Sequence, residues 1–368
     1  MLRWRHCCTY ITYNTLNRTN QTTTTPTIHR YDGTKGQLIL EQIADLGYLC
    51  HFESLLTAQK NELGMLEDFE PGVRALKNFS LRFVCRGPPI EVTPHGSRYV
   101  VSVCVSESLF KRLPKSLHTN LVPFIPIMFQ QGINEMARLA DAIGSKGGKD
   151  EVRINRESLR VLLHYSQSVE KWHKASLLPA SPVRSAIYGS NVKESGEIQD
   201  RLSQIKVLQK KMMDAILEEK HNTRNVEILH TAAPLVRALG GGRVTSCKSG
   251  KDRTAMSVTL ELASVAFADM SFSRIFSRCS PKRRRRRTSS FATSSSSSDD
   301  GDKVEEPYSK ELLEFANFLR VHGVRLPNCW KNTGKPRFAF NVIQRQMLPE
   351  MYRPPGDVCV TIFRKLQS

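Results

Sequence analysis

The residues with the clearest chemical potential lie in one short segment, Cys247-Lys-Ser-Gly-Lys-Asp-Arg-Thr254. A cysteine thiolate is a strong nucleophile. The arginine six positions later can hold two phosphoryl oxygens with its planar guanidinium. Gly250 allows the backbone dihedrals that a tight anion-binding loop requires. These residue types at this spacing predict a phosphate-binding loop in which a cysteine attacks phosphorus.

The flanking sequence predicts the elements that would position this loop. Residues 243–246 are predicted as a short strand, and residues 254–270 as an apolar helix. In a strand–loop–helix arrangement, the loop N–H groups and the helix N-terminus can point at one anion. The same helix terminus and the three basic residues of the loop would favour the thiolate form of Cys247.

Other motifs and sites fit the segment less well. A nucleotide-binding P-loop needs G-x4-G-K-[ST], but Thr245 stands at the first glycine position and Asp252 at the last. The dinucleotide pattern G-x-G-x-x-G fails from Gly240, because Thr245 again replaces a glycine. The chain has nine cysteines and no C-x-x-C, so neither a zinc site nor a disulfide framework is expected. We also expect no other metal and no cofactor. The remaining alternative is that Cys247 is an inert buried thiol.

The composition limits the class of protein. The chain has 368 residues, of which 40% are hydrophobic and 24% charged, which excludes collagen, coiled coil and wholesale disorder. The net charge of +19 favours nucleic acid, an anionic membrane face or phosphorylated substrates as partners. No apolar run is long enough to predict a transmembrane segment.

The pattern along the chain predicts one α/β domain interrupted once. Residues 1–35 are interpreted as an irregular basic leader and residues 281–302 as a disordered Arg/Ser-rich insert, while 36–280 and 303–368 form the domain. The basic run 282–287 has four alternative interpretations. It is a solvated tract, a contact for anionic lipid, a signal for nuclear localisation or nucleic-acid binding, or part of a kinase site. Further predicted elements are a strand at 98–105, a loop at 145–149, and helices at 197–220 and 226–239. The helix at 226–239 is expected to be kinked or broken at Pro234. A later helix is expected to be capped by Ser309.

The loop resembles that of the cysteine-dependent phosphoinositide phosphatases. It is most similar to the inositol polyphosphate 4-phosphatase family, also called phosphatidylinositol-3,4-bisphosphate 4-phosphatases. The supporting segments are His51-Phe-Glu-Ser-Leu-Leu-Thr57, Gly64-Met-Leu-Glu-Asp68, Gly132-Ile-Asn-Glu135 and Leu348-Pro-Glu-Met-Tyr-Arg-Pro-Pro355. The resemblance covers residues 36–368 apart from the insert, and it implies a cysteine-phosphatase fold with a parallel or mixed sheet flanked by many helices.

The resemblance also implies an activity and residue roles. It implies metal-free removal of the 4-phosphate of phosphatidylinositol 3,4-bisphosphate through a phosphocysteine. The implied catalytic residues are Cys247, Arg253, Asp252 and Thr254, and the implied phosphate-binding residues are Lys248, Ser249, Gly250 and Lys251. Asp252 would be the general acid, or would only orient Arg253 by a salt bridge. The two lysines would contact other ring phosphates, or would be ordinary solvated side chains.

The implied partner is a phosphoinositide in an anionic membrane surface, with soluble inositol polyphosphates as further substrates and no nucleic acid. The implied location is cytoplasmic, peripheral on cytosolic faces of endosomal or plasma membranes. Family members carry an N-terminal C2 domain and a long middle region, and this chain is expected to hold only the catalytic end. Three alternatives stay open: a protein tyrosine phosphatase, a catalytically weak lipid-binding remnant, and a nucleic-acid binder suggested by charge alone.

Overall fold

The computed structural model describes residues 33–57, 61–133, 147–177, 192–218, 225–268 and 308–360. The predicted insert at 281–302 and its basic run lie outside the described residues, as does the predicted leader up to residue 32. The chain divides into two compact units. Unit 1 comprises Met1–Gly132 and Ala137–Lys248, and unit 2 comprises Ile133–Met136 and Ser249–Ser368.

Unit 1 contains a mixed sheet and helices. The strands are β1 (Tyr48–Ser54), β2 (Phe79–Val84), β3 (Ile90–His95), β4 (Arg98–Cys104), β5 (Val122–Gln130) and β6 (Gly242–Ser246). Its described α-helices are α1 (Gly33–Leu46), α2 (Asn61–Ala75), α3 (Glu107–Phe110), α4 (Lys115–Thr119), α5 (Gly147–Leu177), α6 (Val192–Leu217) and α7 (Glu227–Ala238). A 3₁₀ turn, Leu76–Asn78, links α2 to β2.

The six strands form one sheet in the order β3-β4-β2-β5-β1-β6. β1 pairs in parallel with β5 and β6, so these three strands end at the same edge of the sheet. β2 is antiparallel to β5 and parallel to β4, and β3 is antiparallel to β4. The expected α/β class with a mixed sheet and many helices is therefore confirmed.

The core of unit 1 lies on both faces of the central strands. On one face, Leu49 and Phe129 pack with apolar residues of α5, α6 and α7. On the other face, Phe52 and Met128 pack against α2. The apolar stripes follow from the alternation of side chains along a strand and the three-to-four spacing along a helix.

Several predicted elements are confirmed, although their observed first or last residues differ from the predicted ones. The strand at 98–105, the helix at 226–239 and the strand at 243–246 are observed as β4, α7 and β6. Of the kink or break predicted at Pro234, the break is wrong, because α7 continues through the proline with buried residues on both sides. The predicted loop at 145–149 is wrong from Gly147 onward, because α5 begins there. The helix predicted at 197–220 is α6, which begins five residues earlier.

Unit 2 is helical in its described part. It contains α8 (Asp252–Ala268), α9 (Lys310–His322), α10 (Arg325–Thr333) and α11 (Val342–Gln346), with 3₁₀ turns at Glu350–Tyr352 and Gly356–Val358. Ser309 caps α9 as predicted, because its hydroxyl accepts a hydrogen bond from the Leu312 N–H. Arg320 is buried and ties α9 to α8 by donating to the Thr259 hydroxyl at 3.1 Å.

Candidate active site

Cys247 follows β6 directly, at the edge of the sheet where β1 and β5 also end. The strand end is held by two hydrogen bonds to β1 and its continuation. The Leu55 N–H donates to the Ser246 carbonyl at 2.9 Å, and the Ser246 hydroxyl donates to the Glu53 carbonyl at 3.3 Å. Cys247 itself is buried, with 3% of its surface exposed. The predicted nucleophile therefore sits at a fixed point at the end of a buried parallel strand.

A buried carboxylate fixes β6 just before the cysteine. One oxygen of Glu53 accepts a hydrogen bond from Arg243 Nε at 2.5 Å and one from the Thr245 hydroxyl at 2.9 Å. Arg243 Nη2 also contacts this oxygen, so two guanidinium nitrogens bind the same carboxylate oxygen. Sequence reasoning missed Glu53 as a site residue, although it lies within the His51–Thr57 segment that supports the family resemblance.

Two buried histidines lie in the same part of unit 1. Burial and, to a smaller extent, the charge of the nearby Arg243 together lower the pKa of His51 to about 3. Burial and Arg243 likewise lower the pKa of His230 to about 4. Both imidazoles are therefore neutral at physiological pH, and the Glu53–Arg243 pair supplies the local charge.

The loop turns at a glycine. Lys248 and Ser249 are exposed, whereas Gly250 is buried with φ at +64°. This left-handed conformation disfavours residues with a Cβ atom. The helix α8 then begins at Asp252, two residues before the predicted start. The expected order of strand, turn and helix is thus present along residues 242–268.

Asp252 has a defined partner for each of its carboxylate oxygens. Its Oδ1 accepts a hydrogen bond from the Ala339 N–H at 2.8 Å. Its Oδ2 pairs with Lys251 Nζ at 2.5 Å. Lys251 is therefore not simply a solvated lysine, and Asp252 fastens the residue 339 region to the first turn of α8.

A second arginine, which sequence reasoning missed, supports the loop from within unit 2. Arg325 is buried at the start of α10, and its Nη2 donates to the Gly250 carbonyl at 2.5 Å. The stretch around Arg325 contains no acidic residue, which was a signal that it could face an anion site. Nothing in the sequence indicated which basic residue of this stretch contacts the loop.

Arg253 and Thr254 occupy the first turn of α8, where Arg253 is half-buried and Thr254 is fully buried. The structure thus places the eight predicted site residues consecutively along a strand end, a turn and a helix start. Their chemical roles stay predictions.

Two further features of the described residues bear on the site. Among them, no group of three or more His, Cys, Asp or Glu side chains is placed to hold a metal ion. No helix in the described ranges combines the length and apolar character needed to cross a bilayer.

Comparison with known proteins points to one family. The family profile described as INPP4A C-terminal domain matches residues 25–286, which include the loop. Human inositol polyphosphate 4-phosphatase type II is 28% identical over 321 residues, covering 86% of this chain and 28% of that protein. The rat type II inositol 3,4-bisphosphate 4-phosphatase is 28% identical over 322 residues, with the same coverage.

Another similar protein has a different kind of name. The human phosphatidylinositol 3,4,5-trisphosphate-dependent Rac exchanger 2 protein is 26% identical over 238 residues, covering 61% of this chain and 15% of that protein. The chain spans about 28% of the length of the type II 4-phosphatases that it matches.

Proposed function

Because the chain belongs to the family of the INPP4A C-terminal domain, we propose that it is a phosphoinositide phosphatase that removes the 4-phosphate of phosphatidylinositol 3,4-bisphosphate. The observation that carries the proposal is the placement of Cys247 at the end of β6, followed by a glycine turn and the start of α8. A loop of this shape can surround a tetrahedral anion with backbone N–H groups.

The first proposed step transfers the phosphoryl group to sulfur. The Cys247 thiolate attacks phosphorus, an S–P bond forms, and the ester P–O bond breaks. Arg253 holds two of the phosphoryl oxygens, and backbone N–H groups of Ser249 and Gly250 bind the developing charge. The departing ring oxygen takes a proton from Asp252.

The second proposed step releases phosphate. Water attacks phosphorus, its proton returns to Asp252, and the S–P bond breaks to leave inorganic phosphate and the Cys247 thiolate. The Thr254 hydroxyl donates a hydrogen bond to the departing sulfur. Lys248 and Lys251 bind the other phosphates of the inositol ring, which suits a multiply phosphorylated substrate.

The geometry of Asp252 bears on its proposed acid role. Both carboxylate oxygens accept hydrogen bonds, one from the Ala339 N–H and one from Lys251 Nζ. The alternative role is to hold Lys251 and the residue 339 region in place.

Phosphate release from a panel of phosphoinositides, without added metal, tests the proposal. We expect release from the 3,4-bisphosphate lipid by the intact chain and none by Cys247→Ser. Cys329→Ser is the matched control, since Cys329 is a buried cysteine of α10. Release only from phosphotyrosine peptides would keep the nucleophile and replace the substrate.

The similarity to the Rac exchanger favours a second candidate function. That protein is named for its dependence on a phosphoinositide, not for phosphatase activity. A module that binds phosphoinositides without turnover would show saturable lipid binding in the intact chain and no phosphate release. We place the chain on cytosolic membrane faces under either function, with soluble inositol polyphosphates as further ligands.

A further inference from the structure

The segment that contacts the candidate loop from unit 2 has an unusual charge pattern. No acidic residue occurs between Glu314 and Glu350, whereas this stretch carries six lysines and arginines. Two of the arginines, Arg320 and Arg325, are buried. Among the others, Lys331 and Lys335 are exposed. The segment 324–346, termed here the loop-flanking segment, therefore carries only basic charged residues.

The same segment exposes large apolar side chains. Val324 is 66% exposed, Trp330 60%, Val342 47% and Ile343 52%. Single exposed apolar residues are ordinary, and these four are distinguished by lying within twenty residues that carry no acidic side chain. A tryptophan with both apolar and polar character is typical of membrane–water interfaces.

The loop-flanking segment is attached to the candidate loop by two contacts within unit 2. Arg325 donates to the Gly250 carbonyl, and the Ala339 N–H donates to Asp252 Oδ1 at 2.8 Å. A membrane bound by this segment would therefore present its head groups beside the loop.

We propose that the loop-flanking segment docks on an anionic lipid surface, with Trp330, Val342 and Ile343 entering the interface and Lys331 and Lys335 contacting head-group phosphates. Charge complementarity selects the occupant, because an acid-free basic surface attracts the anionic lipids of a cytosolic leaflet. The choice of lipid over another polyanion rests on the proposed function. Binding itself needs neither Cys247 nor turnover.

The first experiment measures sedimentation of the full chain with phosphatidylcholine vesicles, with and without phosphatidylserine and free of phosphoinositide. We expect binding only with phosphatidylserine. Each lysine near the surface contributes about a 5-fold gain in affinity, so Lys331→Gln with Lys335→Gln should weaken binding about 25-fold. The matched control is Lys210→Gln with Lys211→Gln on α6, two exposed lysines that should have little effect.

The apolar contribution has its own pair of variants. We expect Val342→Ser with Ile343→Ser to weaken vesicle binding about 10-fold, by loss of apolar burial. Val207→Ser with Leu217→Ser is the control, because these α6 residues are 57% and 69% exposed. Vesicles should also shift the tryptophan emission to shorter wavelength, and Trp330→Phe should abolish the shift.

The outcomes separate this inference from the proposed function. The inference is supported if Cys247→Ser binds vesicles as well as the intact chain does and the segment variants lose vesicle binding as described above. This holds whether or not the intact chain releases phosphate. The inference would be overturned if the segment variants and the control variants lost vesicle binding to the same extent. Salt-sensitive binding to a DNA duplex with no binding to vesicles would overturn it as well, and would favour a nucleic-acid partner.

Discussion

Arg325 places a buried positive charge against the carbonyl of Gly250, the residue at which the candidate loop turns. Its Nη2 donates to this carbonyl at 2.5 Å and connects the start of α10 to the turn. By engaging the Gly250 carbonyl, this contact would hold the turn of the proposed phosphate site in place. Arg325 is thus a positioning residue for the proposed phosphate site.

Substitution of Arg325 tests this role. Lysine keeps the charge but lacks the planar fork, so Arg325→Lys should leave the Gly250 carbonyl without its donor and lower the free energy of unfolding by about 2 kcal/mol. We expect kcat to fall as well, since the loop loses its support. Urea unfolding and steady-state kinetics measure the two effects. Arg160→Lys, at an exposed position of α5, should change neither.

Asp252 can be examined through the leaving group. If Asp252 is the general acid, Asp252→Asn should slow hydrolysis of inositol phosphates by about 100-fold, because an alkyl oxygen leaves poorly without a proton. Aryl phosphates, whose leaving groups need no proton, should lose much less activity. An equal loss with both substrates would instead assign Asp252 to holding Lys251 and Ala339.

At the scale of elements, the catalytic proposal depends on how β6 passes into α8. β6 is held in register with β1 by the Glu53–Arg243 pair, and α8 begins two residues after the glycine turn. Along the chain, only the short segment 247–251 therefore separates the strand from the helix. The positive φ of Gly250 is the backbone feature that joins them.

Gly250→Ala probes this junction. A Cβ atom in the left-handed region costs about 1–2 kcal/mol, so we expect a loss of stability of that size and a loop that no longer binds phosphate well. Inhibition by inorganic phosphate and thermal unfolding measure both. Gly72→Ala in α2 is the control, because its new Cβ meets open space and alanine favours a helix.

The sequence was sufficient for the elements with strong local signals. The β-branched residues before Cys247 and the four-and-three stripe of α6 predicted their elements because local pattern determines both. β5 was not recognised as a strand, because Pro123 and Pro126 argue against one, yet it lies in the middle of the sheet. The contacts of Glu53 and Arg325 join residues far apart in the chain, and local patterns do not contain such pairings.

At the scale of the whole molecule, the positive charge of the chain favours binding to anionic surfaces, whereas its buried neutral histidines resist further protonation. The net charge of +19 favours association with anionic surfaces and adds repulsion within the folded chain. Unit 1 buries two histidines beside Arg243, and a further positive charge there would be costly. Acidification therefore increases the charge of the unfolded chain more readily than that of the folded one.

This difference predicts a loss of stability in mild acid. The folded-state pKa values of about 3 for His51 and about 4 for His230 lie below the ordinary value of 6.5. Above pH 6.5 both residues are neutral in both states, so they add no pH dependence. As the pH falls below 6.5, the unfolded chain binds protons that the folded chain excludes, and each histidine should cost about 2 kcal/mol at pH 5.

His51→Leu isolates one half of this effect. Neither ring nitrogen of His51 has a hydrogen-bond partner among the described residues, and its ring packs edge-on against Phe129, so leucine removes a titrating group without removing a hydrogen bond. We expect the drop in the free energy of unfolding between pH 7.5 and pH 5, measured with urea, to shrink by about 2 kcal/mol. His95→Gln, at the exposed end of β3, is the control and should keep the full drop. A drop that stays the same in His51→Leu would show that His51 takes up a proton in the folded chain, and the acid sensitivity would then have to come from other groups.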